Sequence, residues 1–181
     1  MKKLWLVPLL LFLLLFGCKD GSNGRLDTSH LEKVEPKGNV TEEQLKNSPI
    51  SYEPSSLDEG LDALPFKLKI PNDIPFEAKP LQMSTIEDFK HDGKNLRVNF
   101  TTTAKDKSDV ILLMITVHNF KVEYSDSGKD VRLSNGVVGN YSGNSLIFEK
   151  DGIYYDVSYN NRNISPDQHK KDIIHIAKQM L

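Results

Sequence analysis

The chain has 181 residues, with 23 lysine and arginine residues, 25 aspartate and glutamate residues and a formal net charge of −2. This balance offers no excess of positive charge to neutralise phosphates, so we expect no nucleic-acid binding. One cysteine cannot form a disulfide within the chain. The length fits one domain with a leading segment, and that domain must be stabilised by its own hydrophobic core.

The first predicted element is a signal peptide over residues 1–17. Lys2 and Lys3 precede an apolar run from Leu4 to Phe16 that only Pro8 interrupts. The run is shorter than the roughly 20 apolar residues that a helix needs to span a bilayer. A positive start, a short apolar stretch and a small residue before the cut are typical of a secretory signal.

The sequence Leu-Phe-Gly-Cys at residues 15–18 resembles the cleavage motif of bacterial lipoproteins. The resemblance implies cleavage after Gly17 and a thioether between the Cys18 thiol and a diacylglycerol, with acyl chains such as palmitate. Several buried acyl chains, at about 0.8 kcal/mol per CH2, hold a protein on a membrane far better than one chain does. We therefore expect a protein anchored by lipid on the extracytoplasmic face of the cell membrane, in which Cys18 is not a nucleophile.

Residues 18–55 are predicted to be a flexible tether. The segment is polar, is rich in Gly, Ser, Asn and Pro, and has few large apolar residues to bury. Within it, Thr41 and Gln44 have the spacing of a capping box, which predicts one short helical turn.

Residues 56–181 are predicted to form the extracytoplasmic domain. Ser56 and Glu59 have capping-box spacing and begin a short helix. Alternating apolar residues in the range 66–70 predict a strand that ends at Pro71. The run from Val110 to Ile115 is apolar on both faces, which predicts a central strand covered on both sides.

Turns and a final helix complete the predicted domain. Asn135-Gly136 and Asp151-Gly152 are turn dipeptides, and the second predicts a hairpin with a type I′ turn. Ser165 and Pro166 begin a helix with an apolar stripe, formed by Ile173, Ile176, Ala177 and Met180. The predicted fold class is α+β: a curved antiparallel meander sheet packed against a C-terminal helix, preceded by a disordered tether.

Short motifs over about residues 60–181 resemble a known domain of uncharacterised function. In order, these are Pro65-Phe66, Pro71, Ile74-Pro75, Gly136, Asp151-Gly152, Tyr155 and Ile176-Ala177. The domain occurs at the extracytoplasmic end of Gram-positive lipoproteins and of membrane-bound anti-sigma factors. The resemblance implies an antiparallel sheet against a helix, and no enzyme. More distantly, the architecture resembles the lipoprotein-carrier fold, whose concave sheet holds acyl chains.

The five histidines do not indicate a metal site. His169 and His175 are six residues apart on the last helix, so they point in different directions and cannot chelate one ion. His30 and His91 fall in polar segments, and we expect these four side chains to be solvated. His118, on the long strand, is predicted to be a structural histidine. We expect no metal and no cofactor.

One aromatic cluster is a candidate ligand-binding surface. It consists of Tyr141, Tyr154, Tyr155 and Tyr159, which combine an apolar ring with a polar tip. Cross-strand packing within a hairpin is the alternative that we favour for these tyrosines.

The sequence therefore predicts a non-catalytic, membrane-anchored lipoprotein. Its extracytoplasmic domain would bind a protein or a cell-envelope ligand through the face or the edge of its sheet. The alternative is a domain that resembles a lipoprotein carrier and holds an apolar ligand between sheet and helix.

Overall fold

The computed structural model describes residues 24–36, 38–124 and 128–181. The predicted signal peptide, its cleavage site at Gly17 and the acylation site at Cys18 lie outside these ranges. In the part of the chain that is described, no helix is long and apolar enough to cross a membrane.

The described residues form nine strands and three helices. In chain order these are β1 (Leu31–Val34), α1 (Glu42–Asn47), β2 (Ile50–Pro54), α2 (Leu57–Ala63), β3 (Gln82–Asp88), β4 (Leu96–Thr103), β5 (Ile111–His118), β6 (Lys129–Arg132), β7 (Val138–Ser142), β8 (Ser145–Lys150), β9 (Ile153–Asn161) and α3 (Pro166–Gln179). All strands belong to one open antiparallel sheet, and α3 packs on it. The predicted α+β fold class is confirmed.

The sheet consists of two meanders that meet at its centre. Its strand order is β1-β2-β3-β4-β5-β9-β8-β7-β6. After β5 the chain therefore goes to the far edge and returns through β7 and β8, until β9 pairs with β5 from Ile111↔Asn161 to His118↔Tyr154. Residues 119–128 connect the two meanders.

One face of the sheet and α3 form the core. Strand residues alternate between buried and partly exposed positions, so that Val98, Val117 and Tyr155 lie side by side on the buried face. As predicted, Ser165 caps α3 by accepting a hydrogen bond from the Gln168 amide. The predicted apolar stripe is buried in full: Ile173, Ile176, Ala177 and Met180.

The prediction of a flexible tether is wrong for much of residues 24–55. β1 pairs with β2 from Leu31↔Pro54 to Val34↔Ser51, and β2 pairs with β3. The segment can be polar because β1 and β2 lie at one end of an antiparallel sheet and have no fully buried residue. The domain therefore begins well before residue 56, while residues 18–23 lie outside the described ranges.

The short helix predicted inside the tether is present as α1. Thr41 and Gln44 form the full capping box, because each side chain bonds the backbone of the other. α1 joins β1 to β2 at the rim of the sheet and has no buried residue.

The strand predicted at residues 66–70 is also wrong. The range contains no strand, and Phe66, Leu68 and Ile70 instead pack against the core from an irregular segment. Pro65 and Pro71 bracket the range and have no N–H to donate to a ladder, which explains the difference.

The segment that follows Pro71 is attached to α3 by the side chain of Gln179. Gln179 Oε1 accepts hydrogen bonds from the backbone N–H groups of Asn72 and Asp73, at 3.1 and 2.9 Å. Its Nε2 donates to the carbonyl oxygen of Asp73 at 2.8 Å. These bonds hold the proline-rich segment over the C-terminal end of the helix.

Candidate functional site: a groove between β2 and β3

The strands β2 and β3 separate before either of them ends. Their pairing runs from Ile50↔Asp88 to Tyr52↔Ile86 and stops there. Beyond that point β3 continues to Gln82 and stays paired with β4 alone, with a bulge between Met83 and Thr85. The gap between the two strands forms a groove with a volume of about 520 Å3.

Two short segments line this groove. They are residues 53–57, at the end of β2 and the start of α2, and residues 80–84, at the start of β3. Glu53 is the one charged side chain of the lining. Apolar contacts come from Leu57, Leu81 and Met83, and hydroxyl groups come from serines: Ser55, Ser56 and Ser84.

The local sequence explains why the strands separate. Pro54 has no N–H for the ladder, so it cannot extend the pairing with β3. Ser56 then caps α2, since its Oγ accepts a hydrogen bond from the Glu59 amide, and the chain leaves the sheet. The bulge between Met83 and Thr85 shifts the register of β3 against β4 in the same unpaired stretch.

α2 approaches the gap closely at a glycine. A Cβ atom added at Gly60 would lie 2.5 Å from Met83 Sδ and 3.0 Å from Pro54 Cγ. The absence of a side chain at Gly60 therefore lets the helix close the groove on the side of the core. The exposed lining residues include Glu53, Gln82 and Ser84.

The four predicted tyrosines do not form one exposed surface. Tyr155 is buried and stacks on Phe148, with ring centroids 4.7 Å apart. Tyr159 has no exposed surface and stacks on His169, with ring centroids 5.0 Å apart. The structure thus places two of the four in the core.

The remaining two tyrosines lie on opposite faces of the sheet. Tyr141 is half-buried on the core face, where its hydroxyl lies 3.3 Å from His169 Nδ1. Tyr154 lies on the other face, paired with His118 of β5 and Glu149 of β8. Neither residue lines the groove.

The prediction that His169 is solvated is wrong. The residue is buried, and its Nε2 donates a hydrogen bond to the carbonyl oxygen of Tyr159 at 2.6 Å. Since Nε2 carries the hydrogen, Nδ1 is free to accept from the Tyr141 hydroxyl. His169 therefore links α3 to β7 through Tyr141 and to β9 through Tyr159.

The contact between α3 and the sheet is filled with side chains. Five residues at this contact have 0% relative exposure: Leu146, Val157, Tyr159, Ile173 and Ile176. A water-sized space beside any of them would leave accessible surface. The core is therefore closely packed around these five residues.

The other face of the sheet carries a chain of polar contacts. Arg97 forms an ion pair with Glu87, and Asn99 Nδ2 donates to Glu87 Oε2 at 3.2 Å. Thr116 Oγ1 donates to Asn99 Oδ1 at 3.0 Å. The predicted cover on both faces of β5 is therefore only partly present, because Met114 is 43% exposed on this face.

Near these polar contacts, three buried polar atoms have no hydrogen-bond partner among the described residues. They are His118 Nδ1, Tyr124 Oη and Asp156 Oδ1. Burial and the charge of Arg97 lower the pKa of His118. Burial, together with the charge of Asp156, raises the pKa of Tyr124 to about 12. Burial also raises the pKa of Asp156.

This buried cluster is separate from the groove. None of its three residues lines the gap between β2 and β3. Within the described ranges, no group of three or more His, Cys, Asp and Glu residues is placed to hold a metal ion. The groove is therefore the candidate site, whereas the buried cluster lowers stability.

Replacement of Asp156 with asparagine should stabilise the protein. Asparagine keeps the shape and a polar atom at this position but has no charge, so it removes the desolvation cost of a partly buried carboxylate. We expect Asp156→Asn to raise the free energy of unfolding by about 1 kcal/mol at pH 7. Urea unfolding of the two proteins measures this difference.

The gain should depend on pH in one direction. The raised pKa of Asp156 means that the folded protein binds this proton more tightly than the unfolded chain, whose carboxyl has a pKa of about 3.9. The loss of stability caused by the charged Asp156 carboxylate is therefore complete above the folded-state pKa and disappears as the pH falls toward about 3.9. Asp130→Asn, at an exposed position of β6, is the control and should change little at any pH. A gain that is equal at pH 4 and pH 7 would contradict this account.

Comparisons with protein-family models, with curated proteins and with solved structures found no match. The resemblance to extracytoplasmic domains of lipoproteins and anti-sigma factors therefore stays a prediction from the sequence motifs.

Proposed function

We propose that this protein is a lipoprotein whose extracytoplasmic domain binds a partner at the groove between β2 and β3, without catalysis. The Leu-Phe-Gly-Cys sequence at residues 15–18 supports the lipid anchor. The groove supports the binding function and is the observation on which the proposal depends.

The size and construction of the groove suit recognition of a ligand. Its volume of about 520 Å3 falls within the range of about 300–1,000 Å3 that is common for ligand sites. One wall is the edge of β3 that β2 leaves unpaired, where an extended chain can add as a further strand. The lining supplies apolar, hydroxyl and backbone contacts, which suit binding of a protein segment or an envelope ligand.

The anchor contributes to binding through concentration. A domain attached to a membrane meets other components of the same surface at a high effective concentration. A groove of modest affinity then suffices for a partner that shares the membrane or the adjacent wall.

Photo-crosslinking from the groove tests the proposal. A benzophenone amino acid replaces Gln82, an exposed residue that lines the groove. The same amino acid at Asp130, on the exposed far edge of the sheet, is the matched control. We expect irradiation of intact cells to give a discrete adduct from position 82 and none of the same mass from position 130.

Two results would contradict the proposal. Identical adducts from both positions would mean that the contact does not depend on the groove. The absence of any adduct from position 82, with both variants present in the membrane fraction, would mean that the groove has no partner there.

A further inference from the structure

We infer that the groove binds an extended peptide segment in which basic residues alternate with apolar ones. This inference rests on the proposed function and names the chemistry of the partner. It depends on the charges around the groove and on the two sides that the groove presents.

Two glutamates face each other at the rim. Glu53 of β2 lines the groove and is paired directly with Glu32 of β1. Like charges at directly opposite positions of adjacent strands repel each other. Within the described ranges, neither glutamate has an ion pair, and both are exposed. A lysine or arginine side chain placed between them would remove this repulsion.

The first turn of α2 adds further negative charge beside the lining. Asp58 and Glu59 follow directly after the lining residues 53–57. Lys79 is the one basic residue that flanks the two lining segments in sequence. The rim is therefore acidic overall and favours a cationic partner.

The groove has an apolar side next to α2 and an acidic side at Glu53, so a matching partner strand would alternate apolar and basic residues. Pro54 and Met83 lie against Gly60 of α2 on the core side, whereas Glu53 belongs to the opposite face of β2. Successive side chains of an added strand point to opposite faces. One set would therefore contact apolar groups next to α2, and the other set would reach Glu53.

The strand edge determines how such a segment binds. Gln82 and Met83 pair with β4 on one side, and the structure shows no strand paired with them on the other side within its described ranges. Backbone hydrogen bonds to this edge would give affinity with little dependence on the partner's sequence. The charge at Glu53 would give the preference for a basic segment.

Fluorescence anisotropy with defined peptides tests the inference. The full chain in a non-ionic detergent is titrated into labelled Ac-Val-Lys-Val-Lys-Val-NH2. The two comparison peptides are Ac-Val-Glu-Val-Glu-Val-NH2 and a copy of the lysine peptide with methylated backbone nitrogens. We expect the lysine peptide to bind at least about tenfold more tightly than either of them.

A matched pair of variants assigns the preference to the groove. Glu53→Gln should weaken binding of the lysine peptide about three- to fivefold, as expected for an exposed ion pair. Glu149→Gln changes an exposed glutamate of β8 that does not line the groove and should leave the affinity unchanged. Thermal melting of both variants confirms that they are folded.

The outcomes separate this inference from the proposed function. Equal affinity for the lysine and glutamate peptides overturns the charge preference, and equal affinity for the methylated peptide overturns strand addition. If no peptide binds while the crosslink from position 82 persists, the inference fails and the proposed function stands. An adduct with the mass of two copies of this chain would identify the occupant as a second copy and would also overturn the inference.

Discussion

Replacement of Tyr159 with alanine should lower the free energy of unfolding by about 3–5 kcal/mol, as expected for removal of a large, fully buried aromatic side chain. Tyr159 has no exposed surface and stacks between His169 and Phe76. Its hydroxyl also accepts a hydrogen bond from Asn161 at 2.8 Å. Chemical denaturation monitored by far-ultraviolet circular dichroism measures the loss.

Two further variants separate packing from hydrogen bonding. Tyr159→Phe keeps the ring and should cost only about 1 kcal/mol, the contribution of one hydrogen bond. Tyr154→Ala removes a tyrosine from the opposite face of the same strand, where burial is partial, and should cost less than Tyr159→Ala. If Tyr159→Ala left stability unchanged, the aromatic core described above would be wrong.

Replacement of Cys18 with alanine should abolish the proposed lipid attachment. Alanine has no thiol to form the thioether that the lipoprotein motif implies, so the chain would be released or would keep its signal peptide. Metabolic labelling with an alkyne fatty acid, followed by membrane fractionation, measures both effects. We expect the label to be lost completely.

The control for this prediction changes a nearby residue outside the motif. Asp20→Asn should keep the label and the membrane location. If Cys18→Ala also stayed labelled and membrane-bound, the lipoprotein proposal would be contradicted, and residues 1–17 would need another role.

The position of Leu26 in the core places a limit on the proposed anchor. Leu26 is buried, and its amide donates to the carbonyl oxygen of Gly93 at 2.8 Å. Between an acylated Cys18 and Leu26, the chain can span at most roughly 30 Å. The anchored domain would therefore stay close to the membrane surface, nearer than a tether that extends to residue 55 would allow.

Local signals in the sequence predicted several elements correctly. Asp151 and Gly152 have φ values of 53° and 77°, as a type I′ turn requires, and they join β8 to β9. The capping residues Thr41 and Ser165 begin helices where their spacing indicates. These features depend on residues close together in the chain, so a single sequence contains the information.

Other features, which depend on distant residues, were not predicted. β1 and β2 are short and have no fully buried residue, so their composition resembles that of a linker. The pairing of β5 with β9 joins residues that are far apart in the chain, and the local pattern gives no sign of it. The groove is lined by residues that are distant in the chain, such as Pro54 and Met83. In the sequence, the one local feature that marks it is the pair of lining prolines, Pro54 and Pro80.

Cysteine accessibility at the groove shows whether a partner occupies it in cells. Ser84→Cys places a thiol at an exposed residue of the lining, and Asp130→Cys places one on the far edge. A maleimide that does not cross membranes is applied to intact cells and to the purified full chain. We predict that the thiol at position 84 reacts more slowly in cells than in the purified chain, and that high salt restores its rate, while the thiol at position 130 reacts equally in both. Equal rates at position 84 would show that the groove is empty in cells and would contradict the account.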